Sequence, residues 1–292
     1  MKYARLFPCA LILALLLTAC GHNVASSVEP DRKPLPIEKP ALKLKPEVDR
    51  RAESIYQAHP ELTPVNYDSP VLLPASDDAG EKYLDRITFL CDSPTYWLKP
   101  FGMLRGGTCT TQIWTGSEGT MTLAYLRGFR ILDPYDRVER TIPETMARHQ
   151  PAIMVIALGI NGISFMDEAD FIREYSHLVE ELQAASPDTQ LILQAMYPIS
   201  PSFRYWGDIT NASVTRGNAW ILRIAEEYGL PYLDTFAALL GEDGNARPEL
   251  MMDDGLHPNQ EGLTRVLEYI RTHAWQPPPD EDDPRYIRPE TK

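Results

Sequence analysis

The chain has 292 residues, with 28 Lys and Arg against 41 Asp and Glu, for a formal net charge of −13. So acidic a balance excludes a nucleic-acid-binding role, which needs a basic face. The four cysteines and six histidines form no group at zinc spacing, so neither a metal nor a cofactor is implied.

Lys2 and Arg5 precede an apolar run from Leu6 to Leu17. A run of about a dozen residues is too short to cross a bilayer core of ~30 Å and suits the apolar part of an export signal. It ends Leu17-Thr18-Ala19-Cys20-Gly21, which resembles the lipobox of bacterial lipoproteins. That resemblance implies cleavage before Cys20, lipidation of Cys20, and a protein exported and anchored to the cell membrane or outer membrane. Without residues 1–20 the chain keeps 26 cations against 41 acids, a net charge of −15. Residues 21–79 read as a spacer and arm. Pro30, Pro34, Pro36, Pro40 and Pro46 favour an extended, semi-rigid segment, and "RRAESIYQAH" suggests a short helix before a wrapping arm. Residues 276–292, "QPPPDEDDPRYIRPETK", are Pro-rich and acidic, the composition of a disordered tail.

Between residues 80 and 275 the pattern alternates. Apolar β-type runs fall at 86–91, 111–115, 151–158, 190–196 and 231–234. Helical patterns separate them. The clearest spans 167–185, where Phe171, Ile172, Tyr175, Leu178, Val179 and Leu182 share one stripe, and others follow Asn211 and Asn259 as N-caps. Apolar strands alternating with amphipathic helices predict an α/β fold, a three-layer sandwich around a mostly parallel five-stranded sheet. In such sheets ligands bind beyond the carboxyl ends of the strands. Cys91 is expected to end the first strand and Cys109 to start its neighbour, a strand length of ~17 Å apart, so they are expected not to pair.

The residues after the strands are the chemically suggestive ones. Ser93 follows the first in "CDSP", where Pro94 favours the start of a helix and the serine serves either as a cap or as a reacting group. "WTGSEGT" (114–120) follows the second and "LGINGIS" (158–164) the third. "MMDDGLHPNQEG" (251–262) holds Asp254 three residues before His257. In this order the set resembles the SGNH hydrolases, also called GDSL-type lipases and acylhydrolases. Cys91-Asp92-Ser93 meets their Gly-Asp-Ser block, and Gly119 the second-block glycine, with Gly116 as its competitor. Gly159-Ile160-Asn161 meets the Gly-x-Asn block, and Asp254 with His257 the Asp-x-x-His block. Two positions depart from the pattern: Cys91 replaces a glycine, and Gly162 an aspartate.

The resemblance implies a flavodoxin-like sandwich and a serine esterase. A serine hydroxyl needs a base within hydrogen-bond reach. His257 would take and return the proton, and Asp254 would orient the imidazole. The Ser93 and Gly119 backbone N–H groups and the Asn161 amide would form the oxyanion hole. The loop 197–211 should border the cleft, with Tyr205 and Trp206 as substrate-binding aromatics beside Phe203, or as a hydrophobic plug. His149, His177 and His273 read as surface or packing residues. The expected substrate is a carboxylic ester, as a small molecule or as O-acyl groups on a glycan. The alternatives are a lipase or lysophospholipase and a non-catalytic glycan-binding envelope lipoprotein on the same scaffold.

Overall fold

A computed structural model describes residues 49–204 and 209–276. The expected export signal, Cys20, the Pro-rich spacer, residues 277–292 of the expected tail, Tyr205 and Trp206 lie outside the described residues.

The N-terminal arm begins with helix α1 (Glu53–Ala58) and reaches α2 (Glu81–Leu84). Strand β1 (Ile87–Cys91) is buried along its whole length and runs into a single helical turn, α3 (Ser93–Tyr96). Strand β2 is only Ile113–Trp114. A hairpin of β3 (Arg130–Leu132) and β4 (Glu139–Thr141) then leads into α4 (Ile142–His149). The chain continues through β5 (Ile153–Ala157), α5 (Glu168–Ala185), β6 (Gln190–Gln194), α6 (Asn211–Tyr228), β7 (Tyr232–Leu233), α7 (Phe236–Leu239) and α8 (Gln260–Thr272).

The central sheet has the order β2-β1-β5-β6-β7, and all its pairs are parallel. Strand residues alternate between two cores because successive side chains point to opposite faces. Leu90, Met154, Ile156, Leu191 and Leu193 join Met146 of α4, α5 and α6 on one face. Phe89, Cys91, Val155, Ala157 and Ile192 join α2 and α8 on the other. This is the expected α/β sandwich. The chain order reverses at β1, with β2 on one side and β5 on the other, so a crevice is expected at the carboxyl ends of β1 and β5.

Several local expectations are corrected. The helix after Ser93 is one turn long, with Asp92 rather than Ser93 at the N-cap position. Thr210, not Asn211, caps α6, in a capping box with Ser213. The Asn211 side chain instead accepts from Ile199 N–H (2.8 Å) and donates to Ile199 O (2.9 Å). Asn259 does cap α8, accepting from Gly262 N–H at 3.0 Å. The β3–β4 hairpin was not anticipated, and buried Asp133 holds it by accepting from Arg140 (2.7 Å) and pairing with His149 (2.8 Å). No disulfide joins Cys91 and Cys109, which are buried and exposed respectively.

The arm is part of the fold. Val71–Leu73 runs alongside β7, where Leu73 N–H donates to Tyr232 O and Tyr232 N–H to Val71 O, both at 2.8 Å. Ser76 and Ala79 then donate to the end of α8, at Thr272 O and Arg271 O. Tyr56, Leu62, Tyr67 and Leu72 are buried in the core shared with α5 and α6.

Candidate active site

The site is built from loops at the carboxyl ends of the strands. The serine comes to the surface because β1 ends at Cys91 and the chain turns at once. Asp92 is extended (φ −89°, ψ −172°), and Pro94, with its ring-fixed φ, starts the helical turn. The histidine arrives from the other end of the chain. Residues 251–258 form a tight loop before α8, in which Met251 bridges to Pro258 and Met252 N–H donates to His257 O at 2.8 Å.

These loops bring three side chains into a relay. Ser93 Oγ lies 2.9 Å from His257 Nε2, and His257 Nδ1 lies 2.7 Å from Asp254 Oδ2. The carboxylate can only accept, so Nδ1 carries the proton and Nε2 is left as the acceptor for the serine hydroxyl. The other oxygen, Asp254 Oδ1, accepts from the backbone N–H groups of Leu256 (2.8 Å) and His257 (3.0 Å). Partial burial pushes the Asp254 carboxyl up, and the His257 ring with these N–H groups more than offsets it, leaving it below the usual carboxylate range. It therefore stays ionised at neutral pH. The His257 side chain is 19 % exposed and that of Asp254 37 %, so the relay lies at a cleft rim, open to solvent.

Gly255 welds the histidine loop to the loop after β6. Its φ is +71°, and a Cβ there would lie 2.6 Å from Phe203 N and Ser202 Oγ. Only glycine allows that approach, and its carbonyl accepts from Ser200 N–H at 2.8 Å.

The oxyanion donors are placed differently from expectation. Ser93 N–H lies in the first turn of α3 and has no partner among the described residues. Gly119 N–H closes a turn onto Gly116 O at 2.9 Å, so it is already spent. Gly119 is required for another reason: with φ +74°, a Cβ would lie 2.5 Å from the Tyr96 ring. Asn161 gives both amide hydrogens to the loop after β2, donating to Thr120 Oγ1 and to Met121 O, each at 2.8 Å. In this state Asn161 braces that loop.

Three neighbours escaped the sequence reading. Trp97 stands edge-on to His257 with ring centroids 6.3 Å apart, one wall of the cleft. Tyr96 supports the Gly116–Gly119 turn. Asp92 reaches under the site to the Gly159–Ile160 backbone. Their signal was adjacency to Ser93, which does not distinguish packing from function. Of the two departures from the family pattern, Cys91 is a core residue on the α8 face. Gly162 lies against the Met166 sulfur, 2.7 Å from where a Cβ would stand.

Comparison with known proteins identifies the family. Residues 116–265 match the GDSL-like Lipase/Acylhydrolase family, a stretch that begins beyond Ser93 and contains Asn161, Asp254 and His257. The chain is 24 % identical over 130 residues to the thioesterase 1/protease 1/lysophospholipase L1 of Escherichia coli K12, covering 44 % of this chain and 56 % of that protein. The chain thus spans little more than half the length of this relative. Among solved structures, a GDSL-like lipase from Bacteroides thetaiotaomicron aligns with a TM-score of 0.44 and 18 % identity, over 66 % of this chain and 89 % of its own. A carbohydrate esterase family 3 protein from Talaromyces cellulolyticus gives 0.38 and 19 %, over 63 % and 93 %. With its parallel sheet, its ordered blocks and a match over half its length, the chain belongs to the GDSL-like lipase/acylhydrolase family.

Proposed function

We propose that this chain is an extracytoplasmic, lipid-anchored esterase that removes O-acyl groups from glycans through an acyl-enzyme on Ser93. The observation that carries the catalytic part is the continuous relay Ser93–His257–Asp254, with contacts of 2.9 and 2.7 Å. In this reading Ser93 Oγ attacks the ester carbonyl as its proton passes to His257 Nε2. The imidazolium is stabilised by Asp254 and returns the proton to the leaving alcohol. Water then repeats the sequence on the acyl-serine. Ser93 N–H is the oxyanion donor at hand. Asn161 joins it by exchanging its bond to Thr120 Oγ1 for the oxyanion, since that hydroxyl can turn to water.

Anchoring rests on the export signal and Cys20, and the glycan on the envelope location these imply. Cys20→Ala should lose acyl label in cells fed an alkyne fatty acid, and label persisting in the variant refutes the anchor. A second reading comes from the E. coli relative, whose name includes thioesterase and lysophospholipase: a thioester or lysophospholipid substrate. The deciding experiment assays the purified chain on p-nitrophenyl esters of two to twelve carbons, acetylated glycans and lysophosphatidylcholine. The glycan reading expects short acyl groups and acetate release. A preference for long chains favours the lysophospholipase, and Ser93→Ala with wild-type turnover refutes both.

A further inference from the structure

Asp92 is a buried carboxylate that the relay does not use. It is 4 % exposed, one residue before Ser93, and no cation pairs with it among the described residues. Its partners are backbone amides. Asp92 Oδ2 accepts from Gly159 N–H at 3.2 Å, and the neighbouring Ile160 N–H also favours the ionised carboxylate. The Asp92 N–H donates to Ala157 O at 3.1 Å, so this residue grips the end of β5 through both backbone and side chain.

What it grips matters. Gly159 and Ile160 lead directly to Asn161, and Gly159 has φ +136° with Met196 and Phe171 within 3.1 Å of any added Cβ, so the turn has one available path. Asn161 in turn holds Thr120 and Met121. The carboxyl-end loops of β1, β5 and β2 are therefore laced in series, with Asp92 as the first stitch. It crosses the β1–β5 crevice that the strand order leaves open.

We propose that Asp92 is a positioning residue of the reaction, whose carboxylate holds the Gly159–Ile160 amides and thereby sets Asn161 relative to Ser93. The inference rests on the esterase reading above.

The cost of keeping a carboxylate there supports the assignment. Burial pushes its pKa up to about 7 against the pull of the backbone N–H groups, so the ionised form is held at the expense of stability. A group retained for packing alone would be replaced by an uncharged one. Asp92 also lines a small cavity with Gln194, whose buried Oε1 has no hydrogen-bond partner. Gln194 Nε2 donates to Tyr197 OH (3.1 Å), which meets Thr95 Oγ1 (3.0 Å). No donor from β6 reaches Asp92 in place of the amides. The titratable groups facing Asp92 are Cys91, Tyr175 and Tyr197, all pushed up by burial, and His257 is linked to it through Ser93. The three buried groups stay neutral near pH 7, so Asp92 is the one of this buried set that changes charge there.

The test compares the full chain with D92N and D92A on p-nitrophenyl acetate. D92N keeps one acceptor oxygen and should lower kcat about tenfold with KM unchanged. D92A leaves both amides unpaired and should lower kcat about a hundredfold, the range found when supporting contacts of a site are lost. The thermal midpoint of D92N at pH 8 should equal or exceed that of the wild type while kcat falls, a split that a merely structural residue would not produce. The acid limb of wild-type kcat should contain a component near pH 7 that D92N loses. Wild-type kcat in folded D92N, or a kcat loss matched by loss of folded protein, overturns the proposal. If D92A does not fold, D92N decides alone. An active S93A variant would instead remove the esterase reading and this inference with it.

Discussion

Ser93, His257 and Asp254 form one hydrogen-bonded relay, so in the proposed esterase mechanism their failures should not add. Ser93→Ala and His257→Ala should each lower kcat by at least about 10⁴-fold, and the double variant should be no more than about tenfold worse than either. Asp254→Asn should be milder, because the Leu256 and His257 N–H groups still hold its side chain while the imidazole loses its tautomer lock. Ester kinetics with circular dichroism on the same preparations check this, and strictly additive losses would contradict the relay. These three residues were legible in the sequence because the chemistry demands particular side chains at particular spacings. Gly119 and Asn161 were legible only as positions. The sequence marks a glycine but not whether its N–H is free, and here that N–H is consumed by Gly116 O. An asparagine offers two hydrogens, and only coordinates reveal that Thr120 and Met121 take both.

At the level of elements, the strands and long helices followed from apolar runs and periodicity, and the short helix and wrapping arm were also read, whereas the hairpin was not. β3 and β4 are three residues each, with only Ile131 fully buried, too short to leave an apolar run or a period-2 signature. The sequence suggests that the arm wraps the domain but not where, and the structure lays it along the edge of β7. An uncovered strand edge is a template for wrong pairing. The arm also buries Tyr56, Leu62, Tyr67 and Leu72, each worth ~1.5–3 kcal/mol in a fold whose whole stability is ~5–15 kcal/mol. A chain started at residue 80 should therefore lack a cooperative thermal transition and aggregate, while one started at residue 49 should unfold like the longest form. Differential scanning calorimetry with light scattering distinguishes them. An intact transition in the shorter chain would show the arm to be dispensable.

Across the whole molecule, pH acts in opposing directions. Asp92 and Asp234 are both pushed from the ordinary 3.8 to about 7. For Asp234 the cause is burial, then the negative charge of Asp49, against one N–H from Ala237. The folded state keeps these protons up to about pH 7, where the unfolded chain has lost them near 3.8. Their contribution is thus fully present below pH 3.8 and lost as pH rises through 7, on the order of 4 kcal/mol each as an upper bound. Asp254 is lowered, so its contribution is present above the ordinary carboxylate range and lost on acidification. Asp234→Asn should raise the thermal midpoint at pH 8 by several degrees and leave it nearly unchanged at pH 4. An equal shift at both values would mean that the charge of Asp234 plays no part.

The contact between Ser93 and His257 spans 164 residues of chain, and this sets when the molecule becomes reactive. During synthesis the nucleophile leaves the ribosome long before its base exists. Until the loop of residues 251–258 has emerged and seated on the ends of β1 and β6, Ser93 is an ordinary alcohol. In the proposed mechanism hydrolytic power therefore arrives in one step, once that loop has seated, and a refolding chain should regain its sheet before it regains turnover.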